Sequence, residues 1–407
     1  MTTSPLFRTP ARALTGHMTT ICADQLTTTD TRGWAAPVTM AATVFTVVTA
    51  EMMPVGLLTP VSGSLQVTEG TAGLTLTVTG VVSALAAPVL PLILGRLDRR
   101  LVLVALMLLL GVAGLLSGVA PTFTVLMIAR VLMGISLGGV WLLTVGLARR
   151  VVPPHAVGPA TSLIFSGIGI ASVLGIPAGA YVGDLVGWRW AFAAVGLLSL
   201  ALAGALWMFL PSLAPEKAVR AADVLEVLKI KQVRVGLLLV GLVVTGHFSA
   251  YTYVRPLLEQ QAHVTPALVG TLLLAYGVAG VLGNFLSGAL RPARAMAFIA
   301  AGIAVATIAM PFLGATLAGS LVLLMIWGLA YGGTSVSTQA WGHAAAPNAP
   351  EASSAVLVGV YNGSIALGAF TGGQVADHVG TTTVTWLPAI LATAAVVVVL
   401  ANRRQRG

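Results

Sequence analysis

Residues 101–119 read LVLVALMLLLGVAGLLSGV, a run without a single charged side chain. As a helix, which rises about 1.5 Å per residue, a run of this length crosses a hydrocarbon core of about 30 Å. The run is continuously apolar and does not alternate with polar residues, which argues against a strand of a membrane barrel. It therefore predicts a transmembrane helix.

The same pattern recurs along the chain. Only 8% of the residues are charged, whereas a soluble domain carries about 25%. The 46 Gly and 21 Pro would break up a soluble helical core, but transmembrane helices tolerate both. We therefore predict an all-α membrane protein with twelve spans, at 34–58, 70–94, 101–119, 122–148, 158–184, 188–210, 234–257, 266–290, 295–315, 318–342, 352–377 and 381–401.

The basic residues set the predicted orientation. Eighteen of the 21 Lys and Arg residues fall in the two terminal segments or in the loops that follow even-numbered spans. The exceptions are Arg189 and Arg255 on the opposite side and Arg130 within a span. Since positive residues stay in the cytoplasm, we expect a multi-pass protein of the cell membrane with both termini cytoplasmic. The first residues lack the apolar core of a signal peptide, and either Met1 or Met18 can be the start.

The longest internal polar stretch separates six spans from six. We expect the domains 1–33 (cytoplasmic tail), 34–210 (first six-helix bundle), 211–233 (linker), 234–401 (second bundle) and 402–407 (cytoplasmic tail). The linker fits either a short amphipathic helix on the lipid surface or a solvated connection.

The two bundles also resemble each other. Shifting the fifth span by 193 positions onto the eleventh aligns Gly175, Gly179 and Asp184 with Gly368, Gly372 and Asp377. Shifting the second span by 197 aligns Gly73 and Gly80 with Gly270 and Gly277. Nearly equal offsets in corresponding spans indicate a duplication, and duplicated bundles around a midplane site are typical of transporters.

Three local motifs then stand out. GRLDRR follows the second span and contains Gly95, Asp98, Arg99 and Arg100; RVLMG in the fourth span ends at Gly134. GIGIASVLGIPAGAYVG in the fifth span contains Gly175, Pro177 and Gly179. Together they resemble the major facilitator superfamily and its twelve-span drug:proton antiporter branch. The first motif lacks the second Gly-Arg pair of the family pattern. The gating charge network that the family builds in this loop would therefore lack that pair here.

Further segments narrow the resemblance. AEMMPVGLLTP in the first span and YTYVRP in the seventh, with DRR and VPP in the loops, are similar to the purine ribonucleoside, sugar and chloramphenicol efflux permeases. The resemblance extends from about Trp34 to Leu400. It implies two pseudo-symmetric six-helix halves, proton-coupled export by alternating access, and gating roles for the residues of the three motifs.

The buried charges point to the same chemistry. Glu51 is the only acid deep within a predicted span, and Arg130 is the only base. Such residues are costly in a membrane and usually functional. Both lie roughly 12–14 Å from the outer ends of their spans, so a pair is geometrically possible. We expect a role in proton coupling, with a static structural ion pair as the alternative.

Polar and aromatic residues of the second half supply candidates for substrate contact. His247 is a second candidate proton carrier, although a lone histidine in an apolar span is more often a packing residue. Some of the polar and aromatic residues in these spans must simply pack or lie in the interfacial aromatic belt. A subset facing the cavity would bind a flat substrate, and we select Tyr251, Tyr276, Asn284, Trp327, Tyr331, Gln339 and Asn362.

The glycines of the fifth span recur every four residues, at Gly175, Gly179 and Gly183. One face of this helix is therefore bare backbone. It predicts close packing against a neighbouring helix, and also a sliding surface between the halves, bent at Pro177. We expect both together.

The chain could have one of three functions: it is a proton-driven exporter, an importer or symporter of a small metabolite, or an intramembrane enzyme or sensor. Gly134, Ser136 and Gly138 spell the hydrolase motif G-x-S-x-G, but inside a helix rather than at a strand–turn–helix. We therefore expect no enzyme, no nucleic-acid partner and no cofactor beyond the proton gradient. With one deep acid opposed by one deep base, substrates should be neutral or singly charged, transported by a monomer.

Overall fold

The computed structural model describes residues 31–94, 97–214 and 221–404, which contain helices and no strand. Nine spanning helices are unbroken: α1 Thr31–Leu65, α2 Glu69–Leu94, α3 Arg99–Gly118, α4 Phe123–Val151, α6 Trp188–Phe209, α8 Pro266–Gly288, α9 Pro292–Leu313, α11 Pro350–His378 and α12 Trp386–Arg404. Three are divided: α5a Val157–Ile170 and α5b Ile176–Val186, α7a Lys231–Tyr251 and α7b Val254–Gln261, α10a Leu317–Tyr331 and α10b Thr334–Ala345. A linker helix covers Ala221–Lys229.

All twelve predicted spans coincide with helices long and apolar enough to cross a membrane. The all-α fold with twelve spans is therefore confirmed. The predicted N-terminal tail up to residue 30, the motif residue Gly95 and the last residues 405–407 lie outside the described residues.

Buried apolar side chains form two clusters. One draws on α1, α3, α4, α5a and α6, with Met107, Leu110 and Phe192 at its centre. The other lies mainly in α7 to α12, and it takes in Leu58 and Leu76 where helices of the first half reach across. Because each group of six helices buries its own apolar faces, we refer to α1–α6 as the first half and α7–α12 as the second half.

The same short turn joins the last two helices of each half. Gly187 precedes α6 with φ of 99°, and Gly380 follows α11 with φ of 122°. Glycine adopts positive φ without the steric cost that a side chain would add. The two positions are also related by the 193-residue offset of the sequence repeat, so the duplication extends to this turn.

The fifth span is interrupted by a π-helical turn over Ala171–Gly175. Pro177 follows in the first turn of α5b, where its missing N–H costs little because the preceding turn is already irregular. The break in the regular α-helix therefore lies at Ala171–Gly175, just before Pro177, and the predicted bend at Pro177 stays a prediction.

The glycine face of this span packs against α1. A Cβ added at Gly175 would lie 2.3 Å from Thr49 Oγ1, and one at Gly183 would lie 2.2 Å from Leu57 Cδ2. At Gly179 the neighbour is Met53. These neighbours belong to the first half, so close packing is what the face does here. The predicted sliding surface between the halves does not lie on these glycines.

Other residues of the fifth span face the second half. Gly277 of α8 packs against the backbone of Ser172 and Val173 at the π turn. Tyr181 of α5b shares a hydrogen bond with Thr271 of α8. On the opposite side of the molecule, α2 packs along α11, where Gly80 approaches Ala366. These two helix pairs contribute to the interface between the halves, and α7b adds contacts to α1.

The two ends of the helix bundle differ in the charged residues that they carry. The acidic end is defined by Glu69, Asp184, Glu259 and Asp377. The basic end is defined by Arg99, Arg100, Arg150, Arg234, Arg291 and Arg294.

The linker helix lies at the basic end and docks on the second half. Val227 is 1% exposed and packs with Val233, Ala346 and Ala352, whereas Leu225 on the other face is 62% exposed. The segment is therefore helical, and one of its faces is covered by protein rather than by lipid or solvent.

Candidate transport site

Glu51 lies within α1, which carries Pro54 three residues further on. Its side chain is buried at 6% exposure, and its Oε1 atom has no hydrogen-bond partner among the described residues. Of the side chains that the structure describes, it is the one carboxylate classed as buried. An unpartnered carboxyl group at this depth is costly, which is the usual mark of a functional acid in a membrane protein.

Arg130 reaches the level of Glu51 without pairing with it. Its Nη1 atom lies 3.4 Å from the carbonyl oxygen of Ala50, the residue before Glu51, and 3.1 Å from Met133 Sδ. The guanidinium also lies 4.4 Å above the Phe192 ring. The equal depth expected from the sequence is therefore correct. The possible ion pair is not formed in this conformation, where the backbone carbonyl and the aromatic face hold the cation.

Arg130 is fully buried, and its Nε and Nη2 atoms have no partner among the described residues. Four residues along α4, Gly134 lets the helix approach α2, because a Cβ there would lie 2.8 Å from the carbonyl oxygen of Thr79. The RVLMG motif thus places a buried cation next to a close helix contact. Two of its donor atoms remain unused.

Five predicted residues of the second half assemble into an aromatic cluster. His247 of α7a stacks on Tyr331 with ring centroids 3.4 Å apart and planes within 8°. Trp327 of α10a stands edge-on to the same imidazole at 5.5 Å. Tyr251 and Tyr276 stack on each other at 4.7 Å beside it. We call His247, Tyr251, Tyr276, Trp327 and Tyr331 the aromatic cluster.

The aromatic cluster contains polar atoms with no hydrogen-bond partner among the described residues. They are His247 Nδ1, Tyr276 OH and Trp327 Nε1, all buried. Buried groups of this kind normally find partners. A cluster that combines flat apolar faces with unused donors and acceptors is suited to a planar molecule that carries polar groups at its edge.

Tyr361 of α11 connects the two halves of the candidate site. Its hydroxyl lies 2.7 Å from the hydroxyl of Tyr331 in the aromatic cluster. Its phenol is also within electrostatic range of the Glu51 carboxylate. This tyrosine is not among the residues selected from the sequence, because nothing in its spacing separates it from a packing residue. Tyr361 thus bonds the aromatic cluster of the second half and experiences the charge of the acid of the first half.

Three predicted cavity residues do not join the aromatic cluster. Asn362 donates to Val358 O of its own helix at 3.0 Å, and Gln339 accepts from Ser354 between α10b and α11 at 3.2 Å. Asn284 is half-buried in α8, toward the basic end. A role of these amides in substrate contact stays a prediction.

The acidic end carries a network that the sequence did not reveal. Arg255 of α7b is 2% exposed, and its Nη1 atom donates to Gly56 O of α1 at 2.7 Å. Its Nη2 atom pairs with Asp184 of α5b at 2.7 Å, and its Nε atom with Glu259 at 2.9 Å. One guanidinium thus ties α7b to α1 and α5b. In the sequence, this network is indicated only by the i,i+4 spacing of Arg255 and Glu259, which places the two side chains side by side on a helix.

A second part of this network joins α2 to α11. Asp377 accepts from the backbone N–H of Gly70 at 2.8 Å and from Thr68 at 2.7 Å. Glu69 accepts from Gln260 at 2.9 Å and from Thr381 at 2.7 Å. These bonds close the acidic end between the halves.

The GRLDRR motif at the basic end makes contacts within the first half. Asp98 caps the start of α3 by accepting from Arg100 N at 2.7 Å, and it also accepts from the Ser212 hydroxyl and from Leu213 N. These bonds, led by the one from Ser212, hold the pKa of Asp98 below its usual value. Arg100 lies 4.3 Å above the Trp207 ring, and Arg99 is buried. The motif therefore fastens the α2–α3 connection to the end of α6.

Comparison with known proteins agrees with this architecture. The sequence profile of the Major Facilitator Superfamily matches residues 40–373. "Transcription regulatory protein OpdE" of Pseudomonas aeruginosa is 36% identical over 257 residues, which cover 62% of this chain and 64% of that protein. "Purine ribonucleoside efflux pump NepI" of Escherichia coli (strain K12) is 33% identical over 254 residues, with the same coverage. The chain thus spans just under two thirds of the length of these curated relatives.

Two solved structures share the fold. A variant of the nucleoside transporter NupG superposes with a TM-score of 0.71 at 11% identity, covering 90% of this chain and 98% of that one. A bacterial homolog of the lysosomal transporter Spinster, in an inward-facing and unoccupied conformation, gives 0.68 at 15% identity, with coverages of 92% and 95%. The profile match over most of the sequence, together with the twelve-span fold, shows that the chain belongs to the Major Facilitator Superfamily.

Proposed function

We propose that this transporter exports small neutral or singly charged molecules with an aromatic ring, in exchange for protons, across the cell membrane. The observation that carries the proposal is the pairing of a buried, unpartnered acid in the first half, Glu51, with a buried aromatic cluster in the second half that has unused polar atoms. An alternating-access transporter needs a substrate contact and an ion-coupling group near the same depth between its halves. No cofactor is required, since the proton gradient supplies the energy.

Proton coupling is supported by the state of the Glu51 side chain. A buried carboxyl group with an unpartnered oxygen can take up and release a proton as its surroundings change between the two access states. Arg130 lies one residue away, on the Ala50 carbonyl, and a small shift of α1 or α4 would bring it to the carboxylate. In that arrangement the cation would favour proton release. His247 is held in the aromatic cluster by stacking, so we assign it to substrate contact rather than to proton transfer.

A nucleoside-like substrate fits the aromatic cluster best. A purine ring offers a flat face to stacked aromatic rings and edge atoms that can bond His247 Nδ1, Tyr276 OH and Trp327 Nε1. The printed names of two proteins similar to this chain, a purine ribonucleoside efflux pump and a nucleoside transporter, point to the same class. Chloramphenicol-like amides remain the second class to test.

The direction of transport is the second part of the proposal. The positive-inside rule puts the basic end and both termini in the cytoplasm. The conformation described here, closed at the acidic end, would then be closed toward the outside. Import of a nucleoside or sugar is the alternative, and the direction of flux distinguishes the two.

The test uses everted membrane vesicles from cells that express the chain. Radiolabelled inosine, adenosine and chloramphenicol are supplied outside, with the vesicle interior acidified or not. Export predicts uptake of at least one compound that depends on the imposed pH gradient and collapses with a protonophore. Uptake in right-side-out vesicles only, driven by external acid, would instead establish import. Vesicles without the protein provide the control.

A further inference from the structure

A pocket of about 470 Å³ opens at the basic end of the second half, away from the transport site. It lies where α7a begins, α8 turns into α9, and α10b ends. Its walls combine two guanidinium groups, Arg291 and Arg294, with the amide of Gln232 and the indole of Trp341. Pro292, Ala293, Ala344 and Ala345 complete an otherwise apolar lining.

Two of the polar side chains of this pocket, Trp341 and Gln232, are held in place, while Arg291 and Arg294 are exposed at its mouth. Trp341 is 6% exposed, and its Nε1 atom donates to the backbone oxygen of Gln232 at 2.8 Å. The Gln232 amide in turn pairs with Asn402 of α12, at 3.3 and 3.4 Å in the two directions. The indole face and the amide are therefore positioned by three helices, so the pocket is a formed feature of the fold.

The corresponding place in the first half is filled differently. There the third helix of the half, α3, begins at Asp98, whose carboxylate caps it. The third helix of the second half, α9, begins at Arg291, which makes no capping bond with its side chain. The first half places Asp98 beside its cations Arg99 and Arg100, whereas the second half places Arg291 and Arg294 in a pocket whose lining contains no acidic residue. The charge of the pocket is thus complementary to an anionic group.

The surroundings of the pocket identify the kind of anion. The pocket lies at the end of the spanning helices, at the level where phospholipid headgroups meet the hydrocarbon core. Basic pockets between transmembrane helices on the cytoplasmic side suit anionic headgroups, and the indole and alanine walls suit the start of an acyl chain. A soluble anion would use the arginines and leave the apolar walls unused.

We propose that this pocket binds one anionic phospholipid, with its phosphate between Arg291 and Arg294 and its glycerol and upper acyl carbons against Trp341. The site is separate from the aromatic cluster and Glu51, so it does not depend on which substrate is transported. Bound lipid would join α7a, α9 and α10b of the second half at the basic end.

The test places the purified full-length protein in nanodiscs of phosphatidylcholine that contain a small fraction of phosphatidylglycerol. Native mass spectrometry counts the retained phosphatidylglycerol molecules for the wild type and for the double variant Arg291→Gln, Arg294→Gln. We expect one preferentially bound phosphatidylglycerol in the wild type. The variant should bind it roughly 25-fold more weakly, because each basic residue near an anionic surface contributes on the order of a factor of five.

The charge-matched control is Lys229→Gln, Arg234→Gln, which removes two exposed cations of the same end that do not line the pocket. It should retain the bound lipid. An equal loss in the control would overturn the proposal in favour of diffuse attraction, and unchanged binding in the pocket variant would overturn it outright. Displacement of the lipid by millimolar inorganic phosphate or glycerol 3-phosphate would overturn it in favour of a soluble anion.

A spectroscopic readout covers the case in which the double variant does not fold. Phosphatidylglycerol brominated near the headgroup should quench the Trp341 fluorescence more than brominated phosphatidylcholine does. This difference should disappear in Trp341→Phe. Equal quenching by both lipids in the wild type would contradict the proposal.

Discussion

Arg255 and Asp184 join the two halves of the transporter through an ion pair of 2.7 Å at the acidic end. Arg255 is almost fully buried, yet it belongs to the short helix α7b that follows the break after α7a. The same guanidinium bonds Glu259 and the Gly56 carbonyl. Any conformation in which this end opens must separate Arg255 from its partners in the first half.

Replacement of Arg255 should therefore favour opening of the acidic end. Arg255→Gln leaves Asp184 and Glu259 without their cation, which destabilises the closed state. We expect the ratio of open to closed molecules to rise about tenfold, less than the full cost of breaking a buried pair, because the Asp184 side chain keeps 17% exposure. Arg255→Lys should lie between Gln and the wild type, since it keeps the charge but loses the fork.

Spin labels at Leu185 and Leu268, exposed positions on opposite halves near this end, would measure the change by electron–electron distance distributions. Arg189→Gln is the matched control, because Arg189 bonds Ala120 and stacks on Trp188 within the first half. A distance distribution of Arg255→Gln identical to that of the wild type would show that the network does not hold the halves together.

Glu51→Gln should abolish transport driven by a pH gradient. Glutamine keeps the size and polarity of the side chain but cannot exchange a proton. We expect downhill exchange of labelled for unlabelled substrate to persist in proteoliposomes without a gradient, because the aromatic cluster is untouched. Full gradient-driven flux by this variant at normal expression would rule out Glu51 as the coupling group.

Arg130 should be required as a cation rather than for its bulk. Its guanidinium stays charged under physiological conditions and can move from the Ala50 carbonyl to the Glu51 carboxylate. Arg130→Lys should retain more gradient-driven flux than Arg130→Met, though less than the wild type, since lysine lacks the planar fork and stacks less well on Phe192. Equal flux in the two variants, compared at equal amounts of protein in the membrane, would contradict the electrostatic role.

The sequence predicts those features that depend on local composition. The twelve spans follow from apolar runs, and Glu51 and Arg130 stand out because charge is rare inside a span. Features that depend on which face of a helix meets which neighbour are harder to predict. The glycine face of α5 has the same spacing whether it meets α1 or α8, so its partner in the first half could not be read from the chain.

Two parts of the site illustrate the same limit. Arg255 falls two residues before the end of the seventh predicted span, where an exposed charge is ordinary, and only the fold buries it among α7b, α1 and α5b. Tyr361 differs from other tyrosines only in its surroundings, namely its hydrogen bond with Tyr331 and the nearby charge of Glu51. Four rings of the aromatic cluster were predicted as cavity residues alongside three amides, and His247 was predicted as a candidate proton carrier. Which of these side chains come together depends on the relative rotation of α7a, α8 and α10a.

The packing of α5 against α1 should respond to a single methyl group. Gly175→Ala places a Cβ 2.3 Å from Thr49 Oγ1, which forces the helices apart. We expect a loss of about 1–3 kcal/mol in the free energy of unfolding, as for other overpacked sites. The additional change Thr49→Ala removes the hydroxyl and should restore part of the loss.

Thermal unfolding in detergent measures these differences. Gly169→Ala provides the control in the same span, because no atom lies within 4 Å of its added Cβ. Its melting temperature should stay unchanged or rise slightly, since alanine favours a helix more than glycine does. Equal losses for Gly169→Ala and Gly175→Ala would attribute the effect to the helix itself and not to its contact with α1.

Substrate charge is the last property that the site predicts. Glu51 and Arg130 leave the buried core formally neutral, and an uncompensated charge there costs several kcal/mol to desolvate. A dication would find one carboxylate and no second, while a neutral ring can stack on the aromatic cluster. We therefore expect inosine, adenosine or chloramphenicol, but not spermidine, to inhibit uptake of a working substrate in everted vesicles at a fixed pH gradient.

The same assay tests the aromatic cluster through Trp327. Trp327→Phe keeps a ring but removes the Nε1 donor, so it should weaken inhibition by inosine roughly tenfold, the worth of about one hydrogen bond in a buried site. Strong inhibition by spermidine with none by the three neutral compounds would show that the charge argument is wrong.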